Sequence, residues 1–124
     1  MIKPKKLDKG DVVIAVSPSS GLASLVPHRY EKARKTFERM GFHLEFSKNA
    51  LSRQDYVSAN PEDRARDINN AFGDRRVKAV ISMIGGDHSN QILKFLDYEL
   101  IRNNPKIFIG YSDISVLHLA LYKK

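Results

Sequence analysis

The sequence predicts an α/β fold: a doubly wound, mostly parallel sheet with helices on both faces. Three observations carry that expectation. Short apolar runs alternate along the chain with stretches of helical periodicity. One of those runs, Val12-Val-Ile-Ala-Val16, is a continuous stretch of strand formers, the mark of an interior strand of a parallel sheet, and Val77-Lys-Ala-Val-Ile-Ser-Met-Ile84 reads as the third strand. The runs empty into loops rich in serine and glycine, and open parallel sheets bind ligands at the carboxyl ends of their strands.

Each element has a local reason. Val12–Val16 is the first strand, and Ser17-Pro-Ser-Ser-Gly21 turns the chain after it. Pro27 opens a helix that places Tyr30, Ala33, Phe37 and Met40 inward and stops at Gly41. Phe42-His-Leu-Glu-Phe46 alternates, which marks a strand with one polar face near an edge. Residues 47–60 are polar and irregular. They end in Asn60 as an N-cap, followed by Pro61 at the first helical position and Asp63 at the capping-box position. The helix so begun turns Ala65, Ile68 and Phe72 inward and ends at Gly73. After the third strand comes Gly85-Gly-Asp-His-Ser-Asn90, then Ile92, Leu93, Leu96, Leu100 and Ile101 in one or two short helices. Lys106 to Ile109 reads as a buried strand behind Pro105, and Gly110 ends it. From Asp113 a helix follows, apolar almost all round, which suits packing on both sides.

At 124 residues the chain is one domain with room for a core, and 42% hydrophobic against 28% charged residues is a soluble globular balance. No run reaches the length of a membrane span, and Met1-Ile-Lys-Pro-Lys-Lys6 lacks the apolar stretch of a secretory signal, so a cytoplasmic place is expected. There is no cysteine, which excludes disulfides, thiolate catalysis and thiolate metal sites. The four histidines are too scattered for a ligand pattern, so no metal is expected. The net charge of +7 raises nucleic acid as a partner. The basic residues, however, sit at helical intervals among acids, from Arg29 to Arg39, with no aromatic platform between them. That pattern reads as a solvated helix face, leaving at most a pull on carboxylates or phosphates.

Three loops at Ser17, Gly85 and Gly110 should gather along one sheet edge. Ser17 and Ser19 are candidate walls of a site there, though plain turn chemistry explains them as well. Gly85 and Gly86 let the backbone approach a ligand and aim N–H groups at an anion, with Asp87 beside them. The spacing matches neither the dinucleotide fingerprint nor a Walker loop, and a tight turn is the commoner reason for such glycines. Ser112 falls where a strand turns sharply into a helix, the geometry of a nucleophile elbow. A Ser or Asp N-cap is the commoner reason for such a residue, and Gly-x-Ser-x-Gly is not matched, so both readings stand.

Taken together, Ser17-Pro-Ser-Ser20, Gly85-Gly86 followed by Ser89-Asn90, and Asn104-Pro-Lys-Ile-Phe-Ile-Gly-Tyr-Ser-Asp113 resemble the N-terminal domain of the LD-carboxypeptidase family of serine peptidases. The resemblance covers the whole chain, 1–124, as the nucleophile-bearing domain. Gly-Gly-x-x-Ser-Asn and Leu96-Asp-Tyr-Glu99 are most similar to the branch containing the microcin C immunity protein. It implies a flavodoxin-like or class I glutamine amidotransferase-like fold. It also implies Ser112 as nucleophile and the backbone N–H groups of Gly86 and Asp113 as an oxyanion hole. The substrate would be a muropeptide that loses a terminal D-amino acid, or a peptidyl-nucleotide antibiotic. No cofactor is implied, and relatives resemble homodimers. The family takes the Glu and His of its triad from a C-terminal domain that this chain does not include, and none of the histidines matches, so the isolated chain is expected to be inactive. Ser115 stands where the family has threonine. Two further expectations follow. A side chain at Gly86 should hurt ligand handling before folding, and an elbow at Ser112 should show strained backbone. A non-catalytic domain binding anions or peptides is the alternative, and a reading frame running on into Glu and His would favour the enzyme. A phosphorylated receiver is discounted, because Ser17 and Gly85 stand where its acidic residues belong.

Overall fold

The computed structural model describes residues 3–123. In it β1 (Val12–Val16), α1 (Pro27–Arg39), β2 (His43–Phe46), α2 (Pro61–Gly73), β3 (Val77–Ser82), α3 (Tyr98–Asn103), β4 (Ile107–Ile109) and α4 (Ser115–Lys123) follow in that order. Short 3-10 turns lie at Leu22–Leu25, Ser89–Phe95 and Ser112–Ile114. All strand pairings are parallel and the sheet order is β2-β1-β3-β4. From β1 the chain steps first to one side and then to the other, so the direction of winding reverses between β1 and β3. Open parallel sheets form their ligand crevice at such a switch point, at the carboxyl ends of the strands.

Alternation along the strands feeds two cores. Val13 and Ala15 join Leu44 and Ala79 beneath Ala33 and Phe37 of α1. Val16, Val77 and Val80 meet Ala65, Ile68 and Phe72 of α2 on the opposite face, with Ile101, Ile114 and Leu117 beside them. The second core is the larger because α2, α3 and α4 all lie over it. The helix boundaries have local causes. Asn60 accepts the Asp63 N–H at 2.8 Å. At the end of α1, Gly41 takes φ 92° while its N–H donates to Glu38 and that of Phe42 to Phe37, the paired bonds of a Schellman turn. α2 runs one residue beyond the expected stop: Gly73 is its last residue and Asp74 its C-cap. The basic residues of α1 face solvent, and Arg34 pairs with Glu31 on the same face.

Several expectations are corrected. Met40 is 56% exposed, and α1 has no fully buried residue, because it covers only the shallow core near the β2 edge. β4 is shorter than expected and is an edge strand: Ile109 is 47% exposed. β3 ends at Ser82, two residues before the run of apolar residues does. Helix α4 packs on one side only, with Leu117 buried while Leu119 is 69% exposed. Its all-round apolar sequence has no second partner among the described residues. No helix among them is long and apolar enough to cross a membrane.

Candidate active site

Three loops meet at the crevice. The first leaves β1 and is held from below. The Ser17 hydroxyl donates to the Ala50 carbonyl at 2.7 Å, and Ser58 donates to the Ser17 carbonyl at 2.6 Å. Ser17 is 3% exposed and Ser19 is fully buried. Neither side chain is a wall that a ligand could touch. Both hold the loop in place, because their hydroxyls are already committed to protein partners and buried polar groups must be.

The second loop follows β3. The Gly85 carbonyl accepts the Ser20 N–H at 3.2 Å. The N–H of the same peptide, that of Gly86, points the opposite way and has no acceptor among the described residues. Gly86 has φ 144°, and a Cβ there would lie 2.5 Å from Ser19 Oγ. A Cβ on Gly85 would sit 3.5 Å from both Ser112 Oγ and the Asp113 nitrogen. This loop is therefore glycine for close approach on two sides. Asp87 is exposed at its tip.

The third loop is the turn from β4 into α4. Tyr111 is extended, and Ser112 then takes φ 59°, one of two non-glycine residues with positive φ among those described. Its hydroxyl caps nothing and has no hydrogen bond among the described residues. Nor does the Asp113 N–H. Left-handed backbone in a serine is strain on the order of 1–3 kcal/mol, and it persists only when its surroundings impose it. Ile114 and Leu117, both fully buried, anchor the turn from the helix side.

Asp113 ties the second loop to the third. Its Oδ2 accepts the N–H groups of His88 at 3.1 Å and Ser89 at 3.0 Å, and the Ser89 hydroxyl lies 2.8 Å from Oδ1. Burial pushes this carboxyl up, but the hydroxyls of Ser89 and Ser19 and the two N–H groups outweigh it and hold it below its ordinary 3.8. A depressed folded pKa stabilises the fold above the unfolded value and is lost as pH falls through the folded one. Asp113→Asn should therefore unfold at lower urea than the parent at pH 7, with the difference shrinking toward pH 3. A difference constant with pH would separate the carboxylate from this role.

Sequence reasoning missed two of these groups. Arg64 is 1% exposed, with Nε on the Ala59 carbonyl and Nη1 on those of Pro18 and His88. Burial lowers its pKa, and the charge of Asp113 opposes that. Asp67 accepts the Ser47 hydroxyl at 2.7 Å and the Asn49 N–H at 2.9 Å, pinning the long irregular segment. The signal was present: Arg64 and Asp67 share the inward spacing of Ile68 and Ala71. His118 is not near the crevice. It stacks edge-on against Phe108, with ring centroids 5.0 Å apart, and lines a cavity of about 520 Å³ from which Ser112 is absent.

A family model described as the LD-carboxypeptidase N-terminal domain matches residues 13–124. The chain belongs to the LD-carboxypeptidase family. YocD of Bacillus subtilis is 40% identical to it over 119 residues, 96% of this chain and 37% of that protein. The murein tetrapeptide carboxypeptidase of Pseudomonas aeruginosa is 31% identical, over 90% of this chain and 36% of its own length. The microcin C7 self-immunity protein MccF of Escherichia coli, solved in complex with aspartyl sulfamoyl adenosine, superposes with a TM-score of 0.94 at 33% identity. That alignment covers 98% of this chain and 36% of the other. The chain thus spans a little over a third of the length of the relatives it matches.

Proposed function

We propose that this LD-carboxypeptidase domain supplies the nucleophile and oxyanion donors of a serine hydrolase that cuts an amide bond. The observation that carries the reading is Ser112 itself: a strained residue with an uncommitted hydroxyl, beside two uncommitted N–H groups on Asp113 and Gly86. An elbow raises the hydroxyl toward the crevice, and paired donors meet the charge that forms on an attacked carbonyl.

The Ser112 oxygen adds to the amide carbon as its proton passes to a base. The carbonyl oxygen becomes an oxyanion between the Gly86 and Asp113 N–H groups. Collapse expels the amine, which takes up the proton, and leaves a serine ester that water hydrolyses to regenerate the hydroxyl. We assign the base, a His oriented by a Glu, to the length of the relatives that this chain does not span. Support for the substrate class comes from what relatives are named for: a murein tetrapeptide in one, and an aminoacyl nucleotide analogue bound to MccF.

The test is hydrolysis by the full-length gene product of two probes, a muramoyl tetrapeptide carrying terminal D-alanine and aspartyl sulfamoyl adenosine. One should be cleaved, and the 124-residue chain alone should cleave neither. Ser112-dependent turnover by the short chain would overturn this division of labour. A full-length product that binds a probe without cleaving it would make the domain a binding module.

A further inference from the structure

The His88–Ser89 peptide is held between two opposite charges, the buried Arg64 and the half-buried Asp113. Its N–H, that of Ser89, donates to Asp113 Oδ2 at 3.0 Å, and the preceding N–H, that of His88, reaches the same oxygen at 3.1 Å and Ser19 Oγ at 2.9 Å. Its carbonyl, that of His88, accepts Arg64 Nη1 at 3.1 Å. The same nitrogen holds the Pro18 carbonyl at 2.9 Å, and Nη2 reaches Gln91 Oε1 at 2.6 Å. All of these Arg64 contacts are to neutral oxygens, and no carboxylate pairs with it directly among the described residues. A guanidinium buried without a direct ion pair carries a desolvation penalty that an apolar side chain of similar length would avoid.

The glycine loop explains what the cation does there. Asp113 lends its backbone N–H to the oxyanion site, but its carboxylate lies in the same turn, and a negative charge there repels the oxyanion as it forms. A buried cation on the far side of the loop offsets that field. It also fixes the His88–Ser89 peptide, which begins two residues from the Gly86 donor, by its oxygen as Asp113 fixes it by its nitrogen.

We propose that Arg64 and the Asp113 carboxylate form a charge clamp on the His88–Ser89 peptide, and that Arg64 is a positioning residue for the Gly86 oxyanion donor. The inference rests on the reading of Gly86 in the proposed function. Neither group need touch the substrate. Arg64 acts through the loop and through its charge.

Two measurements test it. In the full-length gene product, Arg64→Gln removes the charge and should lower kcat about 10- to 100-fold with KM changed less than about threefold, since the donor acts on the transition state. Arg64→Lys keeps the charge and should recover most of that loss, although it lacks the planar fork. Equal kcat for both variants would overturn the electrostatic role, and a parental kcat in both would overturn the clamp. The second measurement does not need activity. Amide exchange of His88 and Ser89, followed by NMR in the 124-residue chain, should speed about tenfold or more in Asp113→Asn while Val80 in the core stays protected. Unchanged exchange overturns the clamp even if hydrolysis proceeds as proposed. Faster exchange in a protein that cleaves neither probe keeps the clamp and rejects the peptidase reading.

Discussion

Ser112→Ala in the full-length gene product is expected to lower hydrolysis by about 10⁴-fold or more, as loss of a nucleophile does when oxyanion donors and binding remain. Its fold should be intact, because the serine hydroxyl has no partner to lose among the described residues. Ser112→Gly separates chemistry from strain. At φ 59° a residue with a Cβ is strained and glycine is not. Ser112→Gly should therefore be inactive yet more stable than Ser112→Ala by roughly 1 kcal/mol, offset in part by the greater freedom of an unfolded glycine. Urea unfolding of the two variants side by side reads the difference. Equal stability would mean that the turn is not held against its own preference, and a residual Ser112→Ala rate within tenfold of the parent would remove Ser112 from the reaction.

Gly86→Ala should damage rate and stability together. The expectation from the sequence is that a side chain there hurts ligand handling before folding, because an oxyanion donor needs close backbone approach. The structure overturns it. A methyl group at Gly86 would lie 2.5 Å from Ser19 Oγ and 3.1 Å from the Ser20 nitrogen, and φ 144° is a backbone conformation that residues with a Cβ rarely adopt. Ser19 is fully buried and cannot swing into solvent. We expect a loss of about 1–3 kcal/mol in unfolding free energy, and a kcat lower by about 100-fold as the donor is displaced. A variant of parental stability would show that the loop shifts freely. Parental kcat in a destabilised variant would remove Gly86 from the oxyanion site.

The elements were legible where local rules act alone. The Asn60-Pro61 start of α2 and the Gly41 stop of α1 each depend on a few consecutive residues, and each was found where the sequence places it. The Ser112 turn was legible only in part. Its position followed from apolar patterns on either side, but elbow and cap share one local sequence, and only φ and the hydroxyl's lack of partners among the described residues separate them. Ser17 and Ser19 were misplaced as ligand walls because serine in a turn looks alike whether its hydroxyl faces solvent or a carbonyl far along the chain. The Ala50 and His88 backbone groups that engage them lie 33 and 69 residues away.

The sequence by itself determined the α/β alternation, the interior first strand, the Asn60 cap of α2, the Gly41 stop of α1 and the family to which the chain belongs, because each is written in short-range periodicity or in a contiguous motif. Only the tertiary structure decided that β4 lies at an edge, that the Ser17 and Ser19 hydroxyls are committed to distant backbone groups, and that Arg64 and Asp113 grip one peptide from opposite sides. Those facts depend on strand order and on contacts between residues dozens of positions apart. A helical pattern can show that Arg64 faces inward, but not that the carbonyls of Pro18 and His88 wait there to receive it.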